Sequence, residues 1–373
     1  MLRVAYLVKT LKAYRVPLFS NMQKIEGVTS LFIFDSEPEQ DEKVLLQGSP
    51  LNYQVLETIK LSWVPFVQNR FRRSLPTNIF SVLSRFKPAV VFCPEYSVET
   101  LLAIMYGKLS GCKLIVWSSL TTLDERITFP GQSYLRSMVR KYADAYVCYS
   151  NLAIDYLRMY NVPEEKCFLV ENCTDVQYFL SHYRSKKRHE EGAPVRLLYV
   201  GAVVYEKGLW DLFQALSDLL HLSWTLNVVG DGNLRESLET FAKERLENRV
   251  FFIGQRLRHE LPDLYNNADV VVLPSHSDVW GHVIDEAMAS GCCVLASDKS
   301  IAAVSLIENG VNGYVFKTSD VTSLKRSLEL LCADDSVRTE VGKNAHQTMI
   351  HHNEDHSVKG VQGAIEFVLS VNG

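Results

Sequence analysis

Short runs of β-branched and aromatic residues alternate with longer amphipathic stretches along the first half of the chain. Near-continuous apolar strands separated by helices are typical of a parallel sheet that is covered on both faces. The amphipathic stretches predict helices at Val98–Ser110, Tyr134–Tyr142 and Leu152–Tyr160. The apolar runs predict strands at Val4–Val8, Ser30–Phe34, Ala89–Pro94, Lys113–Ser118, Ala145–Tyr149 and Cys167–Glu171.

The alternation pauses at the polar run Ser181–Pro194, which has no periodicity and is predicted to be a linker. A second series of strands and helices then begins. Its strands are predicted at Arg196–Val200, Thr225–Val229, Val250–Ile253, Val270–Leu273, Cys293–Ala296 and Tyr314–Phe316. Its helices are predicted at Gly208–Leu220, Leu234–Leu246, Gly281–Ser290 and Leu324–Leu331, with a last helix at Val358–Leu369.

Two doubly wound, Rossmann-like α/β units therefore account for most of the chain. We expect an N-terminal domain over residues 1–180 and a C-terminal domain over residues 195–352. The terminal segment 353–373 could belong to either unit, including by packing back on the first. Ligands of such sheets bind beyond the carboxyl ends of the strands, so two facing sheets predict a site in the cleft between domains.

Composition fits this two-domain interpretation. The 373 residues exceed the roughly 250–300 at which a single core stops growing. Apolar residues at 47% and charged residues at 22% exclude a disordered chain, a collagen-like fibre and a multi-span membrane protein. The net charge of −4 gives no reason to expect nucleic acid as a partner. Residues 1–190 hold 24 basic and 18 acidic side chains against 15 and 25 afterwards, which predicts units with different partners.

The cysteines and the N-terminus indicate a cytoplasmic protein. The eight cysteines are scattered and form no Cys-x-x-Cys, which favours a reducing compartment over a disulfide framework. The first apolar run is too short for a signal peptide, and no stretch reaches the roughly 20 uncharged residues of a spanning helix.

The densest chemical signal is a strand, a loop of small residues, a helix and a second strand between Ala268 and Asp298. Asp278 lies on the loop and Glu286 lies inside the helix. The first backbone N–H groups of a helix have no acceptor within it, so a helix start binds phosphate. Here those amides belong to Gly281, His282 and Val283, and glycine lets a bulky anion approach the backbone.

These residues resemble the retaining, nucleotide-sugar-dependent glycosyltransferases of family 4, which have the GT-B fold of two facing Rossmann-like domains. The family carries two acids with seven residues between them, as Asp278 and Glu286 have here, with Trp280-Gly281 replacing Phe-Gly. The Asp departs from the usual Glu, a variant similar to that of polysaccharide-assembling members. The resemblance implies that Asp278 contacts donor-sugar hydroxyls, that the amides hold the diphosphate and that Glu286 binds the ribose. It also implies that Trp280 is a substrate-binding residue, together with Gly281, His282 and Val283. The alternative is an ordinary βαβ unit with a solvated Glu286.

A second motif is the strand end and loop from Tyr199 to Gly208, with Gly201 at the strand end. The ammonium of Lys207 can neutralise a leaving diphosphate as charge develops on it. Lys207 matches the lysine of the resembling family, whereas Ala202 stands where an arginine is expected, so one cation is missing or comes from elsewhere. The alternative is a solvated lysine at a helix start.

Two weaker glycine loops follow in the order that the family has. Gly230 lies in the strand-end turn Val229–Asn233, and Arg256 ends Phe252–Arg256, which by resemblance leads into a loop that contacts the nucleobase.

The N-terminal half is less informative. Arg15 lies in Lys9–Phe19, a stretch similar to one in exopolysaccharide and lipopolysaccharide transferases, and could bind an acceptor phosphate or carboxylate or form a structural ion pair. Glu95 follows a predicted strand and is a candidate to orient the acceptor, with a salt bridge as the alternative. Where the family often has a catalytic His, this chain has Trp117-Ser-Ser119.

Two polar segments have less specific interpretations. The aromatic and basic run Ile59–Arg73 suits an anionic membrane surface or a lipid-linked acceptor, and equally a loop packed on the domain. The histidines of His351–His356 are interpreted as part of a solvated connector, so no metal site is expected.

The resulting hypothesis is a metal-independent, retaining glycosyltransferase without cofactor, at work in glycan or polysaccharide biosynthesis. It would move a sugar from a nucleotide diphosphate donor to a saccharide or lipid-linked acceptor, in the cytoplasm or peripherally at the inner face of the membrane. The alternatives are a sugar-nucleotide epimerase or hydrolase on the same fold and an inactive nucleotide-sugar-binding subunit.

Overall fold

The computed structural model describes all residues except 49, 61–73, 124–130, 171, 173–174, 186–192, 353 and 372–373. It divides into two compact units. Unit 1 is Met1–Asn172 with Glu354–Gly373, and unit 2 is Cys173–Asn353. In the described ranges no helix is long and apolar enough to cross a membrane.

Unit 1 is built on a seven-stranded parallel sheet with the order β3-β2-β1-β6-β7-β8-β9. A separate antiparallel pair joins β4 to β5. The inner strands are buried on both faces because helices cover the sheet on either side. The strands are β1 Leu2–Val8, β2 Val28–Phe34, β3 Tyr53–Val55, β4 Thr58–Lys60, β5 Ser74–Pro76, β6 Val90–Cys93, β7 Lys113–Ser118, β8 Ala145–Cys148 and β9 Cys167–Leu169.

Two helices of unit 1 begin with a serine that caps them. Ser97 accepts a hydrogen bond from Thr100 N at 3.2 Å and Ser150 accepts one from Ala153 N at 3.3 Å, which satisfies an N–H at each helix start. The helices are α1 Val16–Gln23, α2 Gln40–Gly48, α3 Ile79–Phe86, α4 Val98–Ser110, α5 Gln132–Tyr142, α6 Asn151–Met159 and, at the end of the chain, α15 Glu354–Ser370.

Unit 2 is built on a six-stranded parallel sheet with the order β12-β11-β10-β13-β14-β15. Its strands are β10 Val195–Val200, β11 Trp224–Val229, β12 Val250–Gly254, β13 Val270–Leu273, β14 Cys293–Ser297 and β15 Tyr314–Phe316. Its helices are α7 Val176–Ser181, α8 Leu209–Ser217, α9 Arg235–Arg245, α10 Leu261–Asn266, α11 His282–Ala289, α12 Ile301–Leu306, α13 Val321–Ala333 and α14 Asp335–His351. The predicted class, α/β with two doubly wound parallel sheets, is confirmed.

Each predicted strand is present, with ends that differ by at most two residues among those described. The prediction missed α14, where the buried positions include Gly342 and Ala345 and leave little apolar periodicity. A Cβ at Gly342 would lie 2.5 Å from the carbonyl oxygen of Gly291, so α14 packs closely against the chain before β14. The histidine-rich stretch ends α14 and begins α15, and the chain passes from unit 2 to unit 1 within it. His351 and His356 are exposed, as expected of a solvated connector, but His352 is buried.

The predicted domain boundary is also displaced. The linker was expected at 181–194, but α7 packs on α11 and α14, so unit 2 starts earlier. The Tyr183 ring stacks on His346 at 3.8 Å and Arg184 N donates to Asn266 Oδ1 at 3.0 Å. These partners are distant in sequence, so local polarity could not indicate them. Residues 186–192 of the predicted linker and residues 61–73 of the aromatic and basic run lie outside the described residues.

The helix α15 belongs to unit 1, where it packs on α1, β8 and β9. Val361, Ala364, Ile365 and Val368 are buried at the spacing of one helix face. A Cβ at Gly360 would lie 2.1 Å from the carbonyl oxygen of Leu169, so this helix rests directly on the backbone of the last strand.

We expect Gly360→Ala to destabilise the protein by about 1–3 kcal/mol, because the added methyl forces the helix away from Leu169. Urea unfolding followed by circular dichroism measures the effect. Lys359→Ala, at an exposed position of the same helix, should change the free energy of unfolding by no more than about 0.5 kcal/mol. A stabilised Gly360→Ala protein would contradict this packing.

Candidate active site

The strand order of unit 2 creates a switch point between β10 and β13. The chain leaves β10 toward β11 on one side and leaves β13 toward β14 on the other, which opens a crevice at the carboxyl ends of the two strands. The loop after β10 contains Lys207, and the loop after β13 contains Asp278. The two loops, which the sequence analysis assigned to the same diphosphate by resemblance, are thereby neighbours.

Lys207 Nζ lies 2.5 Å from Asp278 Oδ2, and both side chains are largely buried. The backbones of the two loops also touch, because His276 N donates to the carbonyl oxygen of Glu206 at 2.8 Å. A Cβ at Gly208 would lie 1.9 Å from the carbonyl oxygen of Pro274, so only glycine permits this approach. The ion pair is therefore held by the backbone on either side of it.

The helix α11 starts at the same edge of the sheet. Gly281 precedes it with φ of 96°, and a Cβ there would lie 2.4 Å from Ser300 Oγ. The carbonyl oxygen of Trp280 accepts hydrogen bonds from Ser300 Oγ at 2.5 Å and from Ala302 N at 2.9 Å. These bonds fix the direction of the helix, whose first amides, including that of Val283, have no acceptor within it. The arrangement suits an anion.

The side chain of Trp280 is placed in the interior rather than toward a ligand. It is 4% exposed, and its Nε1 donates to Asp285 Oδ2 at 2.9 Å. His282 Nδ1 donates to the same oxygen at 3.3 Å. The predicted substrate contact of Trp280 therefore has no support from its ring, which instead anchors the loop to the first turn of α11.

Glu286 lies one turn further along α11 and is half-buried. The Tyr265 hydroxyl donates to its Oε2 at 2.6 Å. Burial raises the pKa of Glu286 to about 7, while the hydrogen bond from Tyr265 and the charges of His282 and Arg258 act in the opposite direction. In the described chain no hydrogen bond or ion pair joins Glu286 to Lys207 or Asp278. The two acids near the start of α11 therefore have different partners: Asp278 pairs with Lys207, and Glu286 accepts a hydrogen bond from Tyr265.

Arg258 is a residue that the sequence analysis missed. Its guanidinium pairs with Asp175 and lies over the Tyr178 ring at 4.2 Å from the centroid. Its charge also lowers the pKa of Glu286. Neither Asp175 nor Tyr178 carries a motif, and α7 was assigned to the other domain, so no sequence signal indicated this cation. Tyr265, on α10 of the same unit, was missed because it too lies outside every recognised motif.

The weaker predicted positions have simple placements. Gly201 and Gly230 follow β10 and β11, and Gly201 N donates to the carbonyl oxygen of Val229 at 2.9 Å. Arg256 is exposed and pairs with Glu260 at 3.3 Å. Ala202, where the family pattern has an arginine, is exposed.

In unit 1, Arg15 and Glu95 line one cavity of about 370 Å³. Within the described part of the chain Glu95 forms no salt bridge, the alternative considered for it, and its oxygens accept hydrogen bonds from Ser118 Oγ at 2.5 Å and from Ser119 N at 3.0 Å. Burial raises the pKa of Glu95, and these hydrogen bonds lower it in part.

Residues 183–348 match the family model Glycosyl transferases group 1. The match covers almost all of unit 2 and less than half of the chain. The matched segment contains the candidate site residues Lys207, Asp278, Gly281 and Glu286. It therefore supports the interpretation of this site as that of a group 1 glycosyltransferase.

Individual proteins give a consistent result. The chain is 32% identical over 165 residues to the glycogen synthase of Mycobacterium tuberculosis, across 43% of this chain and 40% of the relative. It is 26% identical over 288 residues to the sulfoquinovosyl transferase SQD2 of Arabidopsis thaliana, across 74% of this chain and 56% of that protein. The chain thus spans about half the length of the curated relatives it matches.

Among solved structures, Anabaena HepE in complex with UDP superposes with a TM-score of 0.76 at 15% identity, across 98% of this chain and 100% of that one. At this identity the likeness concerns the fold alone, which is that of the GT-B glycosyltransferases with two Rossmann-like domains.

We expect Glu286 to be protonated below a pH of about 7 and ionised above it. Infrared difference spectroscopy between pH 5 and 9 should show a protonated carboxyl band that is absent from Glu286→Gln. Tyr265→Phe removes a hydrogen bond that lowers this pKa, so the band should persist to higher pH. Tyr314→Phe, elsewhere in unit 2, serves as the control and should leave the titration unchanged. An unshifted titration in Tyr265→Phe would contradict the assigned cause.

Proposed function

We propose that this protein transfers a sugar from a nucleoside diphosphate donor to a saccharide acceptor, with retention at the anomeric carbon. The observation that carries the proposal is the 2.5 Å pair of Lys207 and Asp278 at the switch point of unit 2, beside the start of α11. The matched family and the relatives named as glycogen synthase and sulfoquinovosyl transferase support it. The UDP in the Anabaena structure makes UDP-sugars the first donors to test.

The donor diphosphate would lie at the start of α11, where the first amides and the helix dipole favour negative charge. Without a ligand, Asp278 neutralises Lys207. A bound diphosphate would compete for the ammonium and release the carboxylate, which could then accept hydrogen bonds from sugar hydroxyls. The same pair would thus bind both parts of the donor.

Glu286 would bind the two ribose hydroxyls as a hydrogen-bond acceptor, in a position set by Tyr265. Its ionised form is the better acceptor, so donor binding should strengthen as the pH rises through about 7. Arg258 would help to keep this carboxylate ionised.

In the transfer step the bond between the anomeric carbon and the leaving diphosphate breaks, and the acceptor oxygen bonds to the same face. The acceptor proton passes to the leaving phosphate oxygen, so no protein nucleophile is required. Lys207 and the α11 dipole would stabilise the charge that develops on the diphosphate, which makes a metal ion unnecessary.

We also propose that the protein works in the cytoplasm. The seven cysteines of the described chain are free, as a reducing compartment requires. The acceptor would be a saccharide, free or lipid-linked, and peripheral contact with an anionic membrane through residues 59–73 stays a prediction.

We expect Lys207→Met to lower turnover of an identified donor by about 100-fold or more, because the developing charge loses its cation. Donors are first found by thermal shift with UDP-, GDP- and ADP-sugars, and transfer is then measured on an acceptor panel. The anomeric configuration of the product, read by NMR, should equal that of the donor. Lys243→Met, an exposed lysine of α9, should retain full activity.

The same assay separates the alternatives. Conversion of the donor without any acceptor would favour an epimerase or hydrolase. Donor binding with no turnover on any acceptor would favour an inactive binding subunit. Full turnover by Lys207→Met would remove the role assigned to this lysine.

Metal removal is expected to leave turnover unchanged, because the protein itself supplies the positive charge at the diphosphate. Activity measured with excess EDTA and after re-addition of Mg²⁺ or Mn²⁺ checks this. Loss of activity in EDTA with recovery on re-addition would show that a divalent cation takes part.

A further inference from the structure

Unit 1 has its own switch point, and a cavity lies there. Its sheet order places β1 beside β6, so the loops that follow these strands diverge at the carboxyl edge of the sheet. The cavity of about 370 Å³ is lined by the loop after β1, by residues 94–96 after β6, and by the ends of β7 and β8. This volume lies within the roughly 300–1,000 Å³ of small-molecule sites.

The charges of this cavity are arranged in two separate groups. Lys9, Lys12 and Arg15 come from the loop after β1, and Glu95 comes from the loop after β6. Arg15 forms no ion pair with any carboxylate of the described chain. An ion pair between the half-buried guanidinium and Glu95 would offset part of the desolvation free energy of both groups, because burying a charge without an ionic partner is unfavourable.

Aromatic rings hold Arg15 instead. Its guanidinium carbon lies 5.2 Å from the centroid of Tyr149 and 5.7 Å from that of Tyr14. Trp117 packs on Tyr149 with the ring centroids 5.7 Å apart. Tyr14 and Tyr149 also form side-chain hydrogen bonds with the guanidinium. Neutral rings and hydroxyls position a guanidinium without neutralising it, so its positive charge stays available to an oxyanion.

Glu95 is equally well positioned at the other side. Its Oε2 accepts hydrogen bonds from Ser119 N at 3.0 Å, Ser119 Oγ at 3.2 Å and Leu120 N at 3.2 Å. Among the described residues, its Oε1 accepts from Ser118 Oγ alone, at 2.5 Å. A carbonyl-type oxygen has two lone pairs, so Oε1 can accept a further hydrogen bond from a ligand hydroxyl.

We propose that the cavity of unit 1 binds an acceptor sugar that carries an oxyanion, with the phosphate or carboxylate on Arg15 and a sugar hydroxyl on Glu95. Lys9 and Lys12, both exposed, add positive potential at the rim. That the bound sugar is the acceptor rests on the proposed function. That the cavity prefers an anionic sugar rests on the residues of the cavity alone.

The experiment compares three probes that share a glucose ring: glucose 1-phosphate, glucuronate and neutral methyl α-D-glucoside. Binding to the full chain is followed by ligand-observed NMR, with the donor site filled by the nucleoside diphosphate of the identified donor. The proteins are the wild type, Arg15→Gln, Arg15→Lys and Arg85→Gln, the last at an exposed arginine of α3 outside the cavity. Circular dichroism and nucleotide affinity check that each variant is folded.

We expect the wild type and Arg85→Gln to prefer at least one anionic probe over methyl glucoside by about tenfold or more. Arg15→Gln should lose this preference and keep its affinity for the neutral sugar, and Arg15→Lys should keep part of it because charge remains without the fork. The phosphate and carboxylate arms decide which oxyanion is bound.

An unchanged preference in Arg15→Gln, or no preference in the wild type, would overturn the inference. If Arg15→Gln does not fold, the result for Arg15→Lys decides, because full retention of the preference would exclude a specific role for the guanidinium. The proposed function fails on other results, namely no nucleotide-sugar binding or unimpaired turnover by Lys207→Met, so the two failures are distinguishable.

Discussion

The order of parallel strands is the constraint on which both sites depend. In each unit the second half of the sheet is added on the opposite side of the first strand, so the loops after two particular strands diverge and leave a crevice. In unit 2 those loops contain Lys207 and Asp278, and in unit 1 they contain Arg15 and Glu95. Because crossover connections between parallel strands are right-handed, a sheet that extends to both sides of its first strand carries helices on both faces.

The two crevices treat charge differently. In unit 2 a cation and an anion are in contact, so Lys207 and Asp278 neutralise each other. In unit 1 the cation and the anion contact different groups. Arg15 lies over tyrosine rings, and Glu95 accepts hydrogen bonds from N–H and O–H donors. The ion pair of unit 2 leaves neither charge unpaired. In unit 1 both charged groups can still bind a ligand, but their burial without an ionic partner costs desolvation free energy.

Residues behind the site of unit 2 determine how its functional groups behave. Tyr265 and Arg258 adjust the pKa of Glu286, and the buried Asp285 holds Trp280 and His282 at the start of α11. Through α7, the Asp175 side chain both caps a helix and pairs with Arg258. A short helix that looks like the end of the preceding domain is therefore part of the electrostatic environment of the site.

Local sequence determined twelve of the described strands, several amphipathic helices and the strand-end placement of Lys207, Asp278, Gly281 and Glu286, because periodicity and strand-end motifs are properties of neighbouring residues. The short strands β3, β4 and β5 left no such pattern. Tertiary structure decided the rest: that unit 2 begins before α7, that α15 completes unit 1, that α14 is a helix, and that Tyr265 and Arg258 act on Glu286. Each of these depends on contacts between segments far apart in the chain. Small residues such as Gly342 and Gly360 carry those contacts through close backbone approach, which leaves no apolar pattern in the sequence.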